Sequence, residues 1–431
     1  MEARLEKLPC HFNWDDVLLD DNKLSTGRYK LEDFGDDEGN VWLGPIYNAL
    51  AFVHHRLGSD AEALQWLTKA TEVLQLGREE DARDGPWLVV NYGNLAWLHH
   101  HMGDDRESQT YLSNVEDLLS RYPNPSEDEL LPEVAAEKAW TLMMLTNQRE
   151  QAENLLRGAV EKQPGRVEWK SSLVLSMLKA RKHDEGPLDP QVWEELENAR
   201  EEDPENMCIA VKYLHYSGAR GESVEDRARE LAQRVLSRPP GIHNGLKSVL
   251  RLYRQYLSLS EAVDLAEQAL RKDPDERYVK RCAALCYCWR ITFNSETPPS
   301  SRTIDRGVAL TQEVIALYPR GNLVKKINLA NIYANTRRLA EADEIYDDLL
   351  ARQLPPAEQQ VLYHHYAKHL AFNRNDRTKS VKYHMKAARI SIPSYFRNNS
   401  IKSLRKIVAR GRNRMCSEIQ EFLHNLNLDE P

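Results

Sequence analysis

The 431-residue chain is poor in glycine and proline, with 19 and 20 residues, and its six cysteines are scattered at positions 10, 208, 282, 286, 288 and 416. Such a composition excludes collagen-like and low-complexity chains, and cysteines so dispersed do not make a disulfide framework at this length. Long apolar runs are missing too. The longest stretch without Asp, Glu, Lys or Arg, residues 85–103, still carries Pro86, Asn91, Asn94 and three histidines, so it is too polar to span a bilayer. The first twenty residues mix Glu2, Arg4, Glu6, Asp15 and Asp16 and hold no continuous apolar export segment. No membrane association is expected, and a reducing, soluble compartment is the expected one. There is no Gly-rich phosphate loop, no Gly-x-Ser-x-Gly and no Cys/His nucleophile pairing, so the expectation is a non-enzyme without a cofactor.

What is present is a repeat. Ala51, Gly58, Ala63, Leu67 and Ala70 form a first unit, and Tyr92, Ala96, Gly103, Ser108 and Leu112 a second. Later units run through Trp140, Ala152, Leu156, Ala159 and Pro164, then through Tyr253, Ala262, Ala269 and Pro274, and through Ala330, Tyr333, Ala342 and Tyr346. The small residues let two helices approach, and the bulky ones fill the gap to the next pair. This is the tetratricopeptide pattern, with a period near 34 residues, and no segment alternates as a strand would. The spacing predicts an all-α tetratricopeptide-repeat superhelix of about nine helix hairpins. Residues 1–44 read as an N-terminal helical and acidic segment whose part 20–44 is partly loop-like. Residues 45–240 read as N-terminal and middle repeats, 241–390 as C-terminal repeats, and 391–431 as a basic helix over Ile401 to Met415 and a tail. Insertions are expected at 183–190 and 293–301, each between the two helices of a pair.

Charge is unevenly spread. The net −8 divides into −16 for residues 1–150, −2 for 151–250 and +10 for 251–431, and segment 367–414 holds fourteen basic residues against one acid, Asp376. Metal binding by Cys282, Cys286 and Cys288 is weighed against buried thiols in a helix, and the second reading is favoured because no second ligand pair lies nearby. Of His99, His100 and His101, one is expected to pack and the others to be exposed. His365 and His369 are i,i+4 neighbours but lack the glutamate of a zinc protease helix. More informative are basic and aromatic residues on first helices of their pairs: Lys179 after Trp169, then Arg251, Tyr253 and Arg254 within one turn, then Lys280 and Arg281 before Tyr287. Two readings stand. They line a single-stranded nucleic-acid site, with guanidinium forks on phosphates and rings against bases, or they are solvated helix faces with core tyrosines. In segment 367–414 the near absence of acids favours an anionic partner, with Lys402, Arg405 and Lys406 as contacts.

Certain segments are more specific than the repeat. Cys10-His11-Phe12-Asn13-Trp14, Tyr47-Asn48-Ala49-Leu50-Ala51-Phe52-Val53, Tyr92-Gly93-Asn94-Leu95-Ala96-Trp97, Glu137-Lys138-Ala139-Trp140 and Ser403-Leu404-Arg405-Lys406 resemble the interferon-induced proteins with tetratricopeptide repeats. The match runs over about residues 9–414, and the chain looks like a divergent member that ends before the family's last repeat. The resemblance implies a cytosolic antiviral effector that holds the 5′ end of single-stranded, viral RNA, bearing a triphosphate or an unmethylated cap, in a basic tunnel and keeps it from translation. Homo- or hetero-oligomers with related repeat proteins are expected with it. Trp140 matches a tryptophan that stacks on a cap guanine in some members, projecting into the groove with one free face. Lys179 replaces an arginine, and Arg251 and Arg254 match basic positions on the helix of Tyr253. The departures are Met144 for a pocket lysine, Arg149 and Cys208 for two tyrosines, Arg281 and Cys282 for a His-Gln pair, and segment 24–44 for a helix that contacts the 5′ end. The alternative is a scaffold whose groove holds a peptide, without selectivity for an RNA end.

Overall fold

The small residues of the repeat turn out to be the points of closest approach between paired helices. Ala51, Ala63, Ala70, Ala96, Ala152 and Ala159 are all buried, and Ser108, which takes one such place, donates its hydroxyl proton to the Ala96 carbonyl at 2.8 Å. The computed structural model describes residues 1–17, 20–37, 39–76, 84–123, 126, 129–180, 188–293 and 298–428. Among the described residues there is no strand, and the chain divides into two compact units, Met1–Ser258 and Leu259–Pro431.

The first unit begins with α1 (Glu2–Leu5) and α2 (Asp21–Glu32). Antiparallel neighbours then follow: α3 (Leu43–Arg56) with α4 (Asp60–Gln75), α5 (Val89–His101) with α6 (Asp105–Arg121), α7 (Pro132–Leu145) with α8 (Arg149–Lys162), α9 (Val167–Ala180) with α10 (Pro190–Glu202), and α11 (Met207–Ala219) with α12 (Glu225–Ser237). Helix α13 (Leu246–Tyr256) packs on α12 and α11 and closes the unit. The first helix of a pair is covered nearly all round, as α3 is from Leu43 to His54. The second buries one stripe, Ser108, Leu112, Val115 and Leu118 in α6, and exposes the rest, which is the amphipathic pattern of a surface helix. Gly58 and Gly103 take positive φ in the two turns that need it.

The second unit holds α14 (Leu259–Lys272), α15 (Arg277–Phe293) with α16 (Ser301–Leu317), α17 (Leu323–Asn335) with α18 (Leu339–Leu350), α19 (Pro356–Phe372) with α20 (Arg377–Arg389), and α21 (Tyr395–Arg410) with α22 (Cys416–Leu428).

Segment 20–44 is helical in its first part and irregular after it, and the bounds read for the basic helix, 401–415, are corrected. Residues 21–32 are helical because Asp20 caps the first turn, accepting from the Lys23 amide at 2.8 Å, and because Leu24 and Leu31 are buried in the core. The basic helix is α21, which starts earlier and ends at Gly411 in the left-handed conformation; Met415 then joins Ile419 and Leu426 of α22 in a core with Val381, Ala388 and Leu404. The chain therefore adds a further pair after Ala388. Most of the two expected insertions, residues 181–187 and 294–297, lies outside the described residues, as does Glu38 of the acidic segment.

Candidate nucleic-acid interface

Helix α13 is the simplest place to see the site form. Leu246, Val249, Leu250, Leu252 and Tyr253 are buried, while Arg251 and Arg254 are exposed. Lys247 shares the face of the two arginines, at spacings of four and then three residues. The helix thus carries a basic stripe opposite its apolar one, and Tyr253, 6% exposed, belongs to the apolar side.

Two further elements bring lysines near Lys247. The last turn of α7 leaves carbonyls without helical partners, and this is the negative end of the helix dipole. Lys179 of α9 donates to the Met143 carbonyl at 2.9 Å, and Lys30 of α2 donates to the Met144 carbonyl at 2.5 Å. Arg149 reaches the Lys179 carbonyl at 3.5 Å. Burial, then the charges of Lys179 and Lys247, push the Lys30 ammonium down to about 7. An ammonium carries three donors, yet among the described residues Lys30 has one hydrogen-bond acceptor and no ion pair with a carboxylate. Lys179 and Lys30 thus meet at one helix end, with Lys247 of α13 near enough to act on the Lys30 charge.

Trp140 lies one turn before those carbonyls. The expectation of a free face is corrected: the residue is 3% exposed, with the Trp42 ring stacked on it at 6.1 Å between centroids and 19° between planes, and Phe34 tilted against it at 5.7 Å. Both covering rings come from the stretch between α2 and the start of α3. Beneath Trp140, buried Glu137 accepts from Asn48 at 2.9 Å, and burial holds its carboxyl up at about 8.

Lys30 and Lys247 were not among the residues singled out from sequence. Lys247 had a signal, the shared face with Arg251 and Arg254. Lys30 had none, because the helix that carries it is embedded in an acidic, glycine-containing segment.

The other candidates belong to the second unit. The Arg281 guanidinium lies over the rings of Tyr278 and Tyr318, at 5.1 and 5.5 Å from their centroids. Lys402, Arg405 and Lys406 are exposed on α21. Cys282, Cys286 and Cys288 are buried thiols of α15. His99 and His100 are half-buried beside Asp104 and Asp105, and His101 is exposed and stacked on Trp97. His369 pairs with Asp343 at 2.8 Å. Among the described residues no group of three His, Cys, Asp or Glu is placed to hold a metal, and no helix is long and apolar enough to cross a membrane.

No family model matches the chain. Two characterised relatives are the human interferon-induced protein with tetratricopeptide repeats 2, 24% identical over 99% of this chain and 92% of its own length, and the human antiviral innate immune response effector IFIT1, 26% identical over 97% and 89%. Among solved structures, the human IFIT1 dimer with m7Gppp-AAAA matches with a TM-score of 0.75 at 24% identity, over 99% of this chain and 96% of that one. The human IFIT1 dimer with PPP-AAAA matches with a TM-score of 0.72 at 23% identity, again over 99% and 96%. These likenesses show the tetratricopeptide-repeat fold. Over nearly its whole length, the chain is a relative of the interferon-induced proteins with tetratricopeptide repeats.

Proposed function

We propose that the chain is a non-catalytic antiviral effector that holds the 5′ end of single-stranded RNA and sequesters it from translation. The observation that carries this reading is the meeting of Lys30 and Lys179 at the end of α7, with Lys247 near enough to act on Lys30, where the described residues offer Lys30 no carboxylate. Three lysines brought within electrostatic reach of one another, with Lys30 lacking a carboxylate, suit a 5′-terminal phosphate group, which supplies several acceptor oxygens and negative charge. Arg251 and Arg254 continue the basic stripe along α13 and suit the phosphates that follow. Support also comes from the relatives, since human IFIT1 has been solved with triphosphate-bearing and capped oligonucleotides and as a dimer. Oligomers of this chain, with itself or with related repeat proteins, belong to the same reading.

The test compares one short RNA carrying triphosphate, cap, methylated cap or hydroxyl at its 5′ end, at fixed salt. The triphosphate form is expected to bind best and the hydroxyl form worst, with a steep salt dependence throughout. Arg254→Glu should weaken binding by about 1–3 kcal/mol in a chain that keeps its circular dichroism spectrum. Equal affinity for all four ends, or binding to peptides in place of RNA, would overturn the reading in favour of a scaffold.

A further inference from the structure

Trp140 has the ring a base needs and lacks the free face. A purine or cap guanine gains about as much from an aromatic face as one base stack is worth, provided that face is open. Here a second indole already lies on it, nearly parallel and offset, in the arrangement that aromatic pairs prefer. An indole is a flat bicycle of nearly the size of a purine. Trp42 therefore sits beside Trp140 as a base would, one helical turn from the lysines of the α7 end.

The stretch that delivers the covering rings is held at two places. At one end the Asp33 carbonyl accepts from the Ile242 amide at 2.7 Å. Gly35, at φ +76°, passes so close to the chain that an added Cβ would lie 2.8 Å from the Pro240 carbonyl oxygen, and one on Gly241 would lie 2.2 Å from that of Phe34. Phe34 is thus pinned by backbone. At the other end Trp42 is the residue before the first turn of α3, with its amide donating to the side chain of buried Asn40 at 3.1 Å. Trp42 and Phe34 are both half-buried, but Trp42 follows Val41, which is 65% exposed, and its ring is the one that lies nearly parallel to Trp140.

Resting on the RNA 5′-end reading above, we infer that Trp42 is the specificity-determining residue of this site: stacked on Trp140, it takes the place of a cap guanine, so the chain accepts a 5′ phosphate and disfavours a capped end. A capped RNA binds only by displacing the indole and losing the internal stack. An uncapped triphosphate reaches the lysines without that step.

The test measures the affinities of Gppp- and triphosphate-ended versions of one short RNA for the native chain, Trp42→Ala and Trp42→Leu. The leucine keeps apolar bulk over Trp140 if the alanine variant does not fold. Removing the indole should raise the ratio of cap to triphosphate affinity by roughly ten- to a hundredfold, the worth of one base stack. A second readout needs no RNA: the far-ultraviolet circular dichroism couplet of two stacked indoles should be present in the native chain and absent from both Trp42→Leu and Trp140→Leu. An unchanged affinity ratio in a folded variant that still binds triphosphate RNA overturns the role of Trp42 and leaves the RNA reading standing. A native chain that binds neither RNA overturns that reading, and the inference with it.

Discussion

An ammonium held at about 7 is an unusual tool for binding an anion, and at the residue scale Lys30 is the informative group of the site. Burial and two neighbouring cations disfavour its charged form; a phosphate arriving among the three would favour it again. Binding therefore takes up a proton whenever the free protein has lost it. The sign follows from that linkage: RNA affinity should be flat below about pH 7 and fall above it, by up to about tenfold per pH unit, until the ordinary lysine range is reached. Lys30→Met should abolish this dependence and weaken binding of the triphosphate end, as fluorescence anisotropy from pH 6 to 9 would show; a native profile without a slope would remove Lys30 from the site. How much of the site was legible follows the same residues. Arg251 and Arg254 could be read because helical period alone puts them on one face. Lys30 could not, because its value depends on Met144 and Lys179, which are remote in sequence. The cover over Trp140 was invisible for the same reason, since no local pattern says which distant ring will lie on it.

At the scale of elements, the pairs were legible where small and bulky residues alternate at repeat spacing, and the failures came at the ends of the array. Helix α2 carries Gly27 and runs into five acids from Glu32 to Glu38, so propensity argued against it; the Asp20 cap and the buried Leu24 and Leu31 decided otherwise. Helix α21 is fixed from within by polar groups that give no periodic signal. The Ser400 hydroxyl lies between His364 Nδ1 at 2.9 Å and His384 Nδ1 at 3.2 Å, and Arg397 donates to the Ala388 carbonyl at 3.0 Å. Burial first, then neighbouring cations, pushes His364 down to about 3 and His365 and His384 to about 4. All three are neutral in the folded unit. The unfolded chain binds their protons near pH 6.5, so stability is present above that pH and is lost as pH falls below it. Urea unfolding of the full chain should show the C-terminal transition weakening between pH 6.5 and 5 by up to about 1.4 kcal/mol per pH unit for each histidine, and His384→Gln should flatten the slope. A midpoint constant from pH 7 to 5 would mean that the cluster opens to water.

For the whole molecule, a net charge of −8 would argue against an RNA-binding role if net charge were the quantity that matters, and at physiological salt it is not. The Debye length is about 8 Å there, so an RNA strand responds to the charges it passes and not to acids farther away. The sum of −16 for residues 1–150 and +10 for residues 251–431 therefore says little about either, and the question is what the basic surface of the second unit does. On α21, Leu404 is buried while Lys402, Arg405 and Lys406 are exposed, and among the described residues Arg405 and Lys406 form no ion pair with a carboxylate. Exposed cations left without carboxylates keep their counterions until a polyanion displaces them, which makes their contribution readable in the salt dependence of binding. Replacing Lys402, Arg405 and Lys406 together by Gln should lower affinity for RNA of several tens of nucleotides and reduce the salt slope by up to roughly 0.7 for each phosphate contact removed. The preference among 5′ ends should stay as in the native chain, because that preference belongs to Lys30, Lys179, Lys247 and the rings at Trp140. Filter binding between 50 and 300 mM salt with a long and a four-nucleotide RNA separates the two effects. If the long RNA keeps its native slope, α21 serves a partner other than the RNA backbone.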